Sequence, residues 1–289
     1  MKSTISALTR PLVMLCLLLL AATPSLAQET ETRIKEGQEY KIKFNEALDF
    51  ARAKQYQQAY AAFKEAMPLA EAAGDQEVVR RGSEIMAKLD NSWGTAEYKR
   101  GNFEAAITHH DNGIANLESY PNNYYGKAKA LQKLERWDEA LPILQTVSEM
   151  SDVKSSRAAI KTVLDHYTYQ ASSALTGGSG GPTAAGAREA LTQLDAIPEW
   201  VSPASDVFYY RAVANQTLSE YDAAIEQANL ALESHRGSRS AKAKIYFVLG
   251  ESFMYSGATQ DAIEAFRNAS FGEYKPLAEH YLEELTSGQ

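Results

Sequence analysis

The chain has 289 residues, 45% of them hydrophobic and 23% charged, with a formal net charge of −8. This composition lies in the globular range and excludes a disordered or collagen-like chain. The acidic balance argues against nucleic acid as a partner, because phosphate recognition needs a basic surface.

In chain order, the first predicted element is an export segment over 1–27. Lys2 and Arg10 precede an apolar stretch at 12–22, and Thr23-Pro24-Ser25-Leu26-Ala27 places small residues where a signal peptidase would cut. The apolar run is shorter than the roughly 20 residues of a membrane span. Cleavage near Ala27 is therefore expected, giving a periplasmic or secreted chain that starts at Gln28 and does not span the membrane. It removes the one cysteine, Cys16, and with it any thiolate chemistry or disulfide. Of 29 basic residues two are lost, Lys2 and Arg10, against 37 acidic ones, so the balance becomes −10.

Beyond residue 40 one phrase recurs: a turn residue, an aromatic, polar residues, then alanine and an aliphatic. It reads Gln55-Tyr56-Gln57-Gln58-Ala59, Asn102-Phe103-Glu104-Ala105-Ala106-Ile107, Trp137-Asp138-Glu139-Ala140-Leu141 and Tyr221-Asp222-Ala223-Ala224-Ile225. In Thr259-Gln260-Asp261-Ala262-Ile263 threonine replaces the aromatic, and Ala187-Arg188-Glu189-Ala190-Leu191 is a degenerate copy. The anchors Ala59, Ala106, Ala140, Ala190, Ala224 and Ala262 are spaced 47, 34, 50, 34 and 38 residues apart. A larger residue follows most anchors four positions on, and a small one three after that. Upstream of each lies a second amphipathic stretch, in which Gly94, Ala128, Ala212 and Gly250 permit close helix approach.

The pattern resembles the tetratricopeptide repeat family, whose unit is a helix–turn–helix of about 34 residues. The resemblance covers most of 40–274 and implies an all-α solenoid of about six helix pairs. Three pairs are expected over 28–153 and three over 154–289, closed by a capping helix at 275–285. The long 50-residue step holds the glycine-rich loop 176–182, which interrupts the fourth pair between 155–175 and 184–196. No Gly-Lys-Ser/Thr follows those glycines, so a mobile loop is expected rather than a phosphate cradle. Pro121, Pro198, Pro203 and Pro276 mark unit boundaries, while Pro68 and Pro142 predict a kink or early end in second helices.

No constellation of catalytic or metal-binding residues emerges, and neither an enzyme nor a cofactor or metal is expected. His109-His110-Asp111 puts adjacent imidazoles about 100° apart on a helix, which ill suits a shared ion. His110 occupies the large-residue position of its repeat and reads as a packed side chain. Asp165-His166 lacks a placed nucleophile, and His280 with Glu283 reads as a solvated face.

What remains is a surface. In the family the first helices of successive pairs line a groove that receives a peptide or a helix. Positions 18, 15, 14, 11, 8 and 7 before each anchor are taken as facing it. In five copies these thirty positions hold seven basic residues, Lys41, Arg52, Lys88, Lys99, Lys129, Lys133 and Lys244, against Asp206 and Glu251. The aromatics there are Phe44, Tyr98, Tyr125, Tyr209, Tyr210, Phe247 and Tyr255. The expectation is a non-enzymatic binding protein or scaffold of the cell envelope. Its groove has a basic N-terminal half and an aromatic C-terminal half, suited to a protein or peptide with an acidic segment. A carbohydrate- or small-ligand-binding solenoid using the aromatics is the alternative. The carboxylate clamp of chaperone-binding relatives does not carry over, because Phe44 and Leu48 occupy two of its positions.

Overall fold

The structure is a computed structural model that describes residues 26–177 and 181–287, with side chains from Gln38 onward. The expected export segment, apart from the backbone of its last two residues, lies outside the described residues, as does the centre of the glycine-rich loop at 178–180. Among the described residues the fold is all-α. The described residues form two compact units, divided between 134 and 135.

Unit 1 contains α1 (Leu26–Arg52), α2 (Tyr56–Ala72), α3 (Gln76–Arg100), α4 (Phe103–Asn116) and α5 (Pro121–Lys133). Unit 2 contains α6 (Trp137–Glu149), α7 (Val153–Thr176), α8 (Ala184–Asp195), α9 (Ser205–Thr217) and α10 (Tyr221–Ser234). It continues through α11 (Arg239–Ser256), α12 (Thr259–Ala269), a 3₁₀ turn (Gly272–Tyr274) and α13 (Lys275–Ser287). Within each unit, successive helices pack as hairpins and each hairpin packs on the next, the α-solenoid arrangement in which neighbouring repeats supply the core.

The repeat explains the packing. All six anchor alanines are fully buried, and so are the residues four positions on: Phe63, His110, Leu144, Leu194, Ala228 and Phe266. The small residue of the first helix faces that side chain. A methyl group added to Gly94 would meet the His110 ring at 2.8 Å, and one added to Gly250 would meet Phe266 at 2.8 Å. Helix axes approach this closely only where one partner has no side chain.

Turn chemistry repeats as well. The residue five positions before the anchor has positive φ at five turns between helices: Lys54 (58°), Gly101 (85°), Glu135 (60°), Ser219 (64°) and Gly257 (87°). This left-handed residue follows the end of the preceding helix at each of these turns. Only two of the five are glycine, so three turns hold an L side chain in a strained region.

Side chains cap helices at their entrances. Asp75 accepts a bond from the Val78 amide at 3.2 Å and another from the Tyr40 hydroxyl at 2.6 Å, tying α1 to the start of α3. Thr183 accepts from the Gly186 amide at 3.1 Å and so starts α8 just after the glycine-rich loop. Pro121 occupies the first turn of α5, where its missing amide costs nothing. Pro68 and Pro142 correct one expectation: neither ends its helix early, and both lie inside α2 and α6. Each sits where flanking residues such as Ala66, Ala70, Leu144 and Val147 are buried, so packing offsets the lost hydrogen bond.

Candidate functional site

In unit 1 the stripe of α3 that carries Lys88, Ser92, Thr95 and Lys99 is exposed along its length. Its residues recur every three or four positions and so share one face. Neighbouring α5 presents Asn122, Lys129 and Lys133 on exposed positions of its own stripe. The two helices touch directly: the Asn123 side-chain amide donates to the Ala87 carbonyl at 3.0 Å. On the outer side, the Lys129 ammonium lies between two half-buried tyrosines, 5.4 Å from the Tyr98 ring centroid and 5.8 Å from that of Tyr125. Lysine over tyrosine is a cation–π contact, and it leaves the positive charge uncompensated.

Among the described residues, no acid lies within ion-pair distance of Lys88, Lys99, Lys129 or Lys133. Lysines on other sides of first helices, one on α1 and one on α5, behave differently. Lys43 pairs with Glu65 at 2.6 Å and Lys127 with Asp111 at 2.6 Å, each on the neighbouring second helix. Positive charge is therefore neutralised toward the partner helix and left open on the α3–α5 face. Lys41 is exposed, with its ammonium 5.6 Å from the Tyr40 ring. Arg52 is exposed but paired with Asp49 at 2.9 Å.

Phe44 corrects the expected groove: it is 4% exposed and belongs to a core cluster with Phe63, Met86 and Leu89. Phe247 requires the same correction, since it is 9% exposed and enclosed by Phe266, Tyr274 and Tyr281. Both stand fifteen residues before their anchors. At 3.6 residues per turn that position is rotated about 60° from the exposed line through positions 18, 11 and 7. It therefore faces the next repeat instead of open solvent.

The remaining aromatics of unit 2 are also engaged. Tyr209 packs edge-on against Tyr210 at 5.1 Å, and burial beside the Tyr274 phenol pushes its own hydroxyl strongly upward. Lys244 lies 4.4 Å over the Tyr209 ring and pairs with Asp206 at 2.9 Å, so this groove lysine is neutralised. Glu251 is half-buried. Burial raises its carboxyl, while hydrogen bonds from Gln216 and Tyr281 pull the other way. Tyr255 stacks on Tyr221 at 5.6 Å yet remains 55% exposed. Shallow clefts beside Tyr221 and Trp93, with volumes of about 560 and 330 Å³, include none of the expected groove residues in their linings.

The histidines are occupied by packing. His109 stacks on Trp93 at 4.0 Å and His166 on Trp137 at 3.7 Å, and burial lowers both imidazoles. His280 is exposed and pairs with Glu284 at 3.4 Å rather than with Glu283. Among the described residues no three His, Cys, Asp or Glu side chains gather as a metal site, and no helix is long and apolar enough to cross a membrane.

Sequence reading missed a buried polar layer beneath the lysine face. Asp90 is 1% exposed and accepts from the Asn116 amide at 2.9 Å; burial raises its carboxyl to about 7. His110 Nδ1 and Asn123 Oδ1 stand 3.3 Å apart between Gly94 and Gly126. The signal was available, because Asp90 interrupts the otherwise apolar or small stripe Met86, Ala87, Gly94 on α3.

No family model and no curated protein matches this chain. Several solved structures align with it. TTC0263, described as a thermophilic TPR protein of Thermus thermophilus, is 16% identical over 86% of this chain and 99% of its own, with a TM-score of 0.28. A tetratricopeptide repeat protein of Parabacteroides merdae is 12% identical over the same shares, with a TM-score of 0.32. The MamA protein is 15% identical over 87% of this chain and 96% of its own, at 0.26. Superpositions this loose carry no argument about function. The hairpins, the buried anchor alanines and the recurrent left-handed turns are this chain's own, and they give it a TPR-like fold.

Proposed function

We propose that this chain is a non-enzymatic scaffold of the cell envelope that captures an acidic segment of a partner protein on the α3–α5 face of unit 1. The observation that carries the reading is the line of uncompensated lysines, Lys88, Lys99, Lys129 and Lys133, on a chain that is otherwise strongly acidic. A rigid pair of helices fixes the spacing of these charges, and Tyr98 and Tyr125 flank the central one with amphipathic rings that also accept apolar anchors. An acidic ligand gains attraction from several charges at once, within a screening length of about 8 Å at physiological salt. The carbohydrate alternative loses its footing, because Phe247 and Tyr209 are committed to packing.

Export over 1–27, with cleavage after Ala27, belongs to the same proposal and places the protein in the periplasm or outside the cell. N-terminal sequencing of the chain recovered from an expressing bacterium's periplasm should begin at Gln28; retention of Met1 there would overturn the export reading. For the binding face, the test is fluorescence polarisation with a labelled decapeptide of alternating glutamate and leucine. Binding should weaken steeply between low and physiological salt and disappear in the triple variant Lys88→Glu, Lys99→Glu, Lys129→Glu. Equal binding by the triple variant would remove the basic face from the mechanism.

A further inference from the structure

The open lysines of α3 and α5 have a counterpart on unit 2. Residues 28–134 hold 15 bases and 16 acids, a balance of −1, whereas 135–289 hold 12 bases and 21 acids, a balance of −9. Several acids of unit 2 are neutralised where they stand: Asp165 by Lys161 at 2.6 Å, Asp195 by Arg211 at 2.7 Å and Asp206 by Lys244 at 2.9 Å. Helix α10 is different. It contains no basic residue, and its Asp222, Glu226, Asn229 and Glu233 are all exposed.

Among the described residues, no base lies within ion-pair distance of Asp222, Glu226 or Glu233. Arg236, just past the helix, donates to the Glu233 backbone carbonyl at 2.8 Å and not to its carboxylate. Unit 2 thus leaves an acidic line open, as unit 1 leaves a basic face open.

The two lines also match in spacing. Lys88, Ser92, Thr95 and Lys99 follow one another at steps of 4, 3 and 4 residues, and Asp222, Glu226, Asn229 and Glu233 repeat those steps. Steps of three and four keep each set on one helix face. Each line runs for about 16 Å along its axis. Laid along each other in either direction, the two end lysines meet the two end acids. A hydroxyl, from Ser92 or Thr95, then falls opposite Glu226, and Lys129 and Lys133 of neighbouring α5 add positive charge beside the line.

We propose that the acidic partner of the α3–α5 face is a second copy of this chain, which lays its α10 line along Lys88 and Lys99. The proposal rests on the binding reading above and names the partner. Copies with a strongly negative balance repel at long range, so local complementarity within the screening length of about 8 Å holds them together. Exposed ion pairs are individually weak, and a contact built from several of them is reversible and salt-sensitive. The two surfaces are unlike, so the contact is heterologous, and a copy engaged through one of them still offers the other.

The experiment is sedimentation velocity of the purified full chain over a concentration series, joined to zero-length carbodiimide crosslinking of an equal mixture of ordinary and heavy-nitrogen copies. Association should grow with concentration and weaken about fivefold or more between about 150 mM and about 1 M salt, where screening shortens to about 3 Å. Crosslinks carrying both isotopes should join Lys88, Lys99 or Lys129 to Asp222, Glu226 or Glu233. The glutamate–leucine decapeptide should dissociate the assembly by competing for the lysines. Two variants test the pairing: Lys88→Glu with Lys99→Glu and Lys129→Glu, and Glu226→Lys with Glu233→Lys. Asp222 is left in place, because an acid in the first turn favours the helix. Each variant alone should associate about tenfold more weakly or worse. Mixing the two should restore association, since each supplies the surface that the other has lost. A chain that stays monomeric, or mixed-isotope crosslinks that fall elsewhere, overturns the proposal on the unaltered protein. A monomer that still binds the decapeptide leaves the basic face standing, with a different protein as its ligand; a monomer that ignores the peptide removes both.

Discussion

The two units carry the same repeat and put it to different uses. In unit 1 the first helices α3 and α5 leave four lysines open on one face. In unit 2 the equivalent helices α9 and α11 satisfy themselves: Lys244 is paired with Asp206, Glu251 is held by Gln216 and Tyr281, and Phe247 is walled in by aromatics from the 3₁₀ turn and α13. The difference teaches that register alone does not make a binding surface. A position faces solvent only if the next repeat leaves it uncovered, and the terminal helix of unit 2 covers what the corresponding part of unit 1 leaves bare.

The largest effect that breaks or sharpens this contrast is on stability. Phe247→Ala and Phe44→Ala should each cost about 3 kcal/mol, the usual price of emptying a buried phenylalanine site. Tyr255→Ala, at 55% exposure, should change stability by no more than about 0.5 kcal/mol. Denaturant melts of the three variants decide the matter: if Phe247→Ala proves as mild as Tyr255→Ala, the aromatic face of unit 2 is open after all.

These two phenylalanines also show how far the sequence could be read. The helix pairs, their order and the anchor alanines follow from a spacing of alanines and aromatics, because close helix packing tolerates only small residues at those points. Even the degenerate fourth pair was placed, with α7 and α8 observed at Val153–Thr176 and Ala184–Asp195. The site was less legible. Lys88, Lys99, Lys129 and Lys133 emerge from register because their stripe is the outermost one, whereas Phe44 and Phe247 belong to a stripe whose surroundings depend on residues in the following repeat. Asp90 and Asn123 went unread because polar side chains on a packed stripe look like surface until a partner such as Asn116 or the Ala87 carbonyl is located.

The next effect concerns binding without folding. Reversing Lys88, Lys99 and Lys129 should reduce affinity for the acidic decapeptide at least tenfold, while the melting transition shifts little, since none of the three supports an ion pair. The matched change in unit 2, Lys244→Glu, should leave peptide affinity within twofold and instead lower stability slightly by opposing Asp206. Polarisation and thermal melts on both variants separate the two faces. A loss of affinity from Lys244→Glu equal to that of the triple variant would mean that the charge of the whole chain, and not the α3–α5 face, attracts the ligand.

The smallest effect probes what the units share. Lys54, Glu135 and Ser219 occupy the left-handed turn position that Gly101 and Gly257 fill elsewhere. An L side chain held there costs about 1–2 kcal/mol, and glycine gives back roughly half of that gain through its looser unfolded chain. Each change to glycine should therefore stabilise the protein by about 0.5 kcal/mol, and the reverse changes Gly101→Ala and Gly257→Ala should destabilise it by about 1 kcal/mol. Lys54 and Ser219 lie in different units, so their gains should add when the two changes are combined. Chemical denaturation of the single and double variants measures this directly. Gains at Lys54 but not at Ser219 would show that the hairpin turn is strained in unit 1 alone, and that the common repeat geometry ends at the turn.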